Sequence, residues 1–177
     1  RHLNAECEPN REDLAAYVHE RLERMSVLGL VKADVAELTP RLVALADGNF
    51  LFAKMTLDAL ADPDEKSRLK LESLGSLPSK LGGLYNAMFR HRFPNTEPYE
   101  AQVLPLLDCL AAARDPLPEA VLTSASGLDG RTAQRGLRQL SQFLSSDAGN
   151  LRLFHQSVAD WLKDDRASAE FAVLLAS

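Results

Sequence analysis

Leu151-Arg152-Leu153-Phe154-His155-Gln156-Ser157-Val158-Ala159-Asp160-Trp161-Leu162 changes its periodicity halfway along. The opening is a short apolar run behind Asp147-Ala148-Gly149-Asn150, a turn signal that would reverse the chain out of Phe143-Leu144-Ser145-Ser146. Beyond His155, Val158, Trp161 and Leu162 fall at i, i+3 and i+4, with Asp160, Lys163 and Asp164 on the other side, which is the spacing of a half-buried helix. His155 therefore stands at the seam between a strand and a helix. A helix, a glycine-turned hairpin and a further helix beneath it form a winged-helix ending. The expected fold is mainly α: a helical bundle followed by a winged-helix domain with a small β-hairpin.

Working outward, the third helix of that winged helix starts at Gly127-Leu128-Asp129 and turns Leu137, Leu140 and Phe143 inward. It carries Arg131, Arg135 and Arg138, spaced four and three, on one exposed face. The stripe suits a solvated helix face, a major-groove contact or an acidic protein surface. Before it, Val103, Leu106, Leu107 and Leu110 mark a first helix, Pro116-Leu117-Pro118 restarts the chain, and Glu119 to Ser126 makes a second. Pro94 to Pro98 reads as a break, and the boundary between two small domains is placed there. Asp164-Asp165 and Ala167 to Ser177 are read as a closing helix.

The first half reads as helices. Asn10 is an expected N-cap, with Leu14, Tyr17, Val18 and Leu22 on one face behind it. Thr39-Pro40 is read as a helix start and Gly48 as its stop, with Leu42, Val43, Leu45 and Ala46 buried. Asn49 then caps Phe50 to Leu60, which stops short of Pro63. A helix from Lys80 to Phe93 turns Leu81, Leu84, Tyr85, Met88 and Phe89 to one side. Gly82-Gly83 inside it costs about 1 kcal/mol per glycine against alanine, so a neighbour is expected to need the space.

At 177 residues, 46% hydrophobic and 25% charged, the chain has the make-up of a globular protein with a core to bury. No apolar run approaches the ~18–20 residues that span a bilayer, and the start carries no signal-peptide core, so the cytoplasm is expected. Cys7 and Cys109 lie far apart without paired Cys or His spacing, which leaves no support for a disulfide or a metal site. The net charge of −5 weighs against nucleic acid as the main partner. The chain opens on Arg1 rather than methionine, and it is expected to be part of a longer protein. It holds no Gly-x-x-x-x-Gly-Lys-Ser/Thr run, so this segment alone is expected to be no enzyme and to carry no cofactor of its own.

Phe154-His155-Gln156-Ser157, with Asp160 and Trp161 following, resembles the Phe-His-x-Ser pattern in the winged-helix domain of STAND signalling NTPases, the NACHT and NB-ARC classes. Leu45 to Ala53 is similar to the NACHT pattern Gly-x-Phe-Leu-Tyr-Ala, and Leu77 to Tyr85 to the family's Leu-Pro-x-x-Leu-x-x-Leu-Tyr. Asp13-Leu14 and Tyr17-Val18 match the helix that follows the ATPase core. These motifs occur in family order over nearly the whole chain.

The resemblance implies that residues 1–9 end an upstream NTPase core or linker, 10–93 form the helical domain and 94–177 the winged helix. It implies that His155 contacts the β-phosphate of ADP and keeps the protein closed. Phe50 stands where plant members have a proline against the adenine ring. The implied partners are an upstream P-loop domain holding ADP or ATP with Mg, a downstream repeat or effector domain, and further copies on activation. From the residues alone, His155 serves equally as a hydrogen-bonded structural residue, and Phe50 and Phe52 as core.

Overall fold

The computed structural model describes residues 8–30, 34–62, 68–78 and 80–173. The chain divides into two compact units, Arg1–Leu84 and Tyr85–Ser177, each mainly helical, and the second holds a small antiparallel sheet. Cys7, Pro63 and Ser79 lie outside the described residues, as do residues 174–177. No described helix is long and apolar enough to cross a membrane.

The first unit contains α1 (Glu8–Val27), α2 (Val35–Ala46) and α3 (Phe50–Leu60), then a 3-10 stretch, Leu71–Ser76. Leu14, Val18, Leu22 and Met25 of α1 are buried at intervals of three and four, together with Leu38 and Leu42 of α2 and Phe52 and Leu57 of α3. Asn49 caps α3 through its side-chain oxygen, which accepts from the Phe52 amide at 3.1 Å. Asp47 and Gly48 end α2 with positive φ angles of 45° and 77°.

Two helix starts differ from the sequence expectation. Asn10 lies inside α1, and its side-chain amide donates to the Gly48 carbonyl at 3.1 Å, so it ties α1 to the end of α2. Thr39 and Pro40 lie inside α2, which begins four residues before Thr39 because Asp34 accepts from the Ala36 amide at 2.8 Å. Proline in a helix interior costs about 3 kcal/mol through its missing N–H and its clash with the preceding turn. The buried stripe Leu38, Leu42, Ala46 continues past the exposed Pro40 and offsets that cost.

The two compact units divide between Leu84 and Tyr85, within α4 (Leu81–Arg92). Leu84 ends the first unit, whereas Phe89 and Phe93 pack with aromatic rings of the second. A Cβ on Gly83 would stand 2.5 Å from the Pro78 Cβ, which supplies the reason for a glycine there. The Pro94–Pro98 break is shorter than expected, because α5 (Thr96–Gln102) takes Pro98 into its first turn, where the missing N–H has no intrahelical partner to lose.

The second unit continues with α6 (Leu104–Ala112), β1 (Leu117–Pro118), α7 (Glu119–Ala125), α8 (Gly130–Leu140), β2 (Leu144–Asp147), β3 (Asn150–Leu153) and α9 (Gln156–Lys163). The sheet order is β1-β3-β2, with Leu117 opposite Leu151 and Leu144 opposite Leu153. Asp129 caps α8 by accepting from the Arg131 and Thr132 amides at 3.0 and 3.1 Å. The Thr132 hydroxyl also donates to it, and these bonds hold the Asp129 carboxyl below its ordinary range.

After α9 the chain does not form the single closing helix that the sequence suggested. One turn, Asp165–Ser168, ends at Ala169 with φ +49°, and a 3-10 turn then lays Phe171 into the core. The Trp161 indole N–H donates to the Ala167 carbonyl at 3.1 Å, and the Tyr99 hydroxyl to Phe171 O at 3.0 Å, so the returning chain is held on both sides.

The β2–β3 hairpin closes through Ala148 and Gly149, both at positive φ, 48° and 82°. A left-handed conformation costs a residue with a Cβ roughly 1–2 kcal/mol, and Asn-Gly is the pair that suits such a turn. Ala148→Asn should therefore stabilise this unit by about 0.5–1 kcal/mol, seen as a higher denaturation midpoint with an unchanged slope. An unchanged or lower midpoint would count against the strained turn.

Candidate functional site around His155

β3 ends at Leu153, and the Phe154 amide donates to the Phe143 carbonyl at 3.0 Å, which carries the hairpin pairing to the edge of α9. His155 is the N-cap of α9, in extended conformation with φ −150° and ψ 143°. Its Nδ1 accepts from the Ser157 amide at 3.1 Å. An accepting Nδ1 carries a lone pair, so in the neutral ring the proton resides on Nε2. The cap thus selects the tautomer and leaves the far nitrogen as a donor on an exposed side chain.

The Ser157 hydroxyl lies 2.7 Å from the same Nδ1 and 2.6 Å from the Tyr85 hydroxyl. Burial pushes the Tyr85 phenol above its ordinary range, the Ser157 hydrogen bond partly offsets this, and Asp160 adds to it. The phenol stays protonated and can donate to Ser157, which in turn donates to His155. Although 2.7 Å is a nucleophile-to-base distance, the imidazole lone pair also serves a helix amide, and the arrangement orients the ring.

Around His155 runs a cleft of about 380 Å³ with Leu110 and Leu153 among its apolar lining residues. Arg114, Arg152 and Lys163 line it as well, with Asp115 as the one carboxylate, so its charge suits an anion. Arg152 is steadied by donating from Nε to the Ser145 hydroxyl at 3.2 Å. These three cations were not legible as a group in the sequence, where they lie on a loop, a strand and a helix end. Ser157 carried a signal, being two residues beyond the cap; Tyr85 stood out only as an inward-facing helix residue at the end of a family-like stretch, and nothing in the sequence pointed to its contact with Ser157, 72 residues away.

The other sequence candidates are not among the residues lining this cleft. Phe50 belongs to the first unit, at the first turn of α3, 38% exposed and beside Tyr17 with ring centroids 5.9 Å apart. Phe52, by contrast, is fully in the core. Arg131, Arg135 and Arg138 are all exposed on α8. Cys109 is a free, half-buried thiol whose burial pushes its pKa up, which leaves it a poor nucleophile. Among the described residues no cluster of His, Cys, Asp and Glu has the make-up of a metal site. Compared with protein-family models, with curated proteins and with solved structures, the chain finds no match.

Proposed function

We propose that the chain is the helical and winged-helix portion of a STAND-class NTPase, a regulatory segment that closes over ADP bound to an upstream P-loop domain. The order α6, β1, α7, α8, β2, β3 with β1 paired to β3 supports a winged helix, in which β2–β3 is the wing. The observation that carries the reading is the His155 cap. With Nδ1 committed to α9, Nε2–H is the group presented to a phosphate, at the edge of a cleft whose charged residues are mostly cations.

In this reading the β-phosphate of ADP accepts from His155 and keeps the segment closed; nucleotide exchange removes the tie and frees surfaces for self-association. The upstream domain supplies the phosphate cradle and Mg, and the segment has no hydrolytic step of its own. A hydrogen bond to a charged group contributes about 1.5–3 kcal/mol, which shifts a two-state population by roughly ten- to a hundredfold. One side chain therefore suffices to set the resting state.

The test uses two substitutions in the intact parent protein. His155→Ala removes both the cap and the Nε2 donor, whereas His155→Asn keeps a good N-cap acceptor and removes the Nε2 donor, its own shorter amide standing back from the imidazole's reach. Both should release ADP about ten- to a hundredfold faster, and only the alanine variant should lose about 1 kcal/mol of stability. Unchanged ADP release in the asparagine variant would reduce His155 to a structural cap. A second reading, a DNA-binding winged-helix regulator, rests on the exposed arginines of α8, and a third on an interaction module without nucleotide.

A further inference from the structure

Gln134, Leu137, Arg138 and Ser141, at i, i+3, i+4 and i+7, form one wall of a second groove of about 520 Å³ on this unit. Leu144 and Ser146 of β2 and Leu151 of β3 form the opposite wall. At 100° per residue, the sector of α8 that carries Arg131, Arg135 and Arg138 adjoins the sector that walls the groove, and Arg138 belongs to both. A basic stripe and a groove with three leucines among its lining residues thus make one continuous surface.

The arginines are available. Arg21, Arg24, Arg41, Lys54 and Arg90 each pair with a carboxylate, whereas no described carboxylate lies within 4.0 Å of Arg135 or Arg138. Arg131 stands near Asp129, whose carboxyl is already engaged by Thr132. In a chain of net charge −5, three cations gathered on one helix face favour an anion locally and not over the whole molecule.

We propose that this surface docks an acidic segment of a partner protein, with its carboxylates on Arg131, Arg135 and Arg138 and one apolar side chain in the groove. The groove decides between polyanions. A nucleic-acid backbone would satisfy the arginines and leave the half-buried Leu144 and Leu151 facing water, while a leucine or phenylalanine of a peptide covers them. Glu119, the one carboxylate lining the groove, repels an acidic residue there and so directs the partner's charges toward α8. The proposal does not involve His155 and goes beyond its role as a latch.

The test is fluorescence anisotropy of the full chain with a labelled peptide of about twelve residues, rich in Asp and Glu around one Leu and one Phe. Binding should be micromolar and weaken several-fold between about 50 and 500 mM salt. Arg135→Glu and Arg138→Glu, both at exposed positions, should each weaken it about tenfold or more, as should a peptide with Leu and Phe replaced by Ala. His155→Asn should leave it unchanged, so the latch and this surface fail separately. Tighter binding of a duplex of about 20 base pairs, with the same dependence on Arg135 and Arg138, would assign the face to nucleic acid and overturn the proposal. Failure of the peptide to bind, or binding that ignores both substitutions, would leave α8 a solvated face and overturn it equally.

Discussion

Phe89→Ala should lower the stability of the Tyr85–Ser177 unit by about 3–5 kcal/mol, the usual cost of emptying a large buried aromatic site. Phe89 is fully buried, with its ring centroid 4.4 Å from that of Phe143, 4.9 Å from Trp161, 5.4 Å from Phe171 and 5.5 Å from Phe93. One ring thus joins α4, the stretch after α8, α9 and the returning chain. Native domains are stable by only about 5–15 kcal/mol, so the variant should unfold at much lower denaturant. Phe89→Leu should recover part of the loss by refilling the volume. Phe50→Ala should cost far less, because that ring is already 38% exposed. If Phe89→Ala and Phe50→Ala shift the guanidinium midpoint equally, the aromatic cluster is not the core of this unit.

Gly136→Ala should destabilise the same unit by roughly 2 kcal/mol or more, against the ordinary rule that alanine improves a helix by about 1 kcal/mol over glycine. A Cβ at position 136 would lie 2.2 Å from the Gln102 carbonyl oxygen and 2.7 Å from Leu106 Cδ1. The nearest atom is backbone, so relief requires α8 to move away from the end of α5 and the start of α6. The movement would open the contacts of Ala133, Leu137 and Leu140, all buried on the same side of α8. Gly130→Ala is the control, since a Cβ there meets nothing within 4 Å at the start of the same helix. It should be neutral or stabilising. Equal effects at the two positions would refute a close helix approach at Gly136.

The features legible in the sequence share a physical scale. The Asn49 and Asp129 caps, the Gly48 stop and the Asp147–Asn150 turn each involve a side chain and backbone groups within about four residues, so neighbouring residue types state them directly. His155 at a strand-to-helix seam was legible for the same reason. Where two local signals competed, the sequence offered no way to rank them: Thr39-Pro40 is a good start, but Asp34 begins the helix earlier because the apolar stripe from Leu38 is long enough to bury. Asn10 looked like a cap until a partner 38 residues away took its side chain.

By itself, then, the sequence determined the helix stripes, the hairpin turn and the position of His155, all consequences of spacings of two to four residues. Only the tertiary structure decided that Tyr85, 72 residues away, meets the Ser157 hydroxyl beside His155. It likewise decided that Gly136 is a contact point and that the α8 arginines border a groove with three leucines in its lining. Periodicity states which side of a helix is apolar or charged; what that side meets depends on chain segments brought there from elsewhere, and packing chooses them.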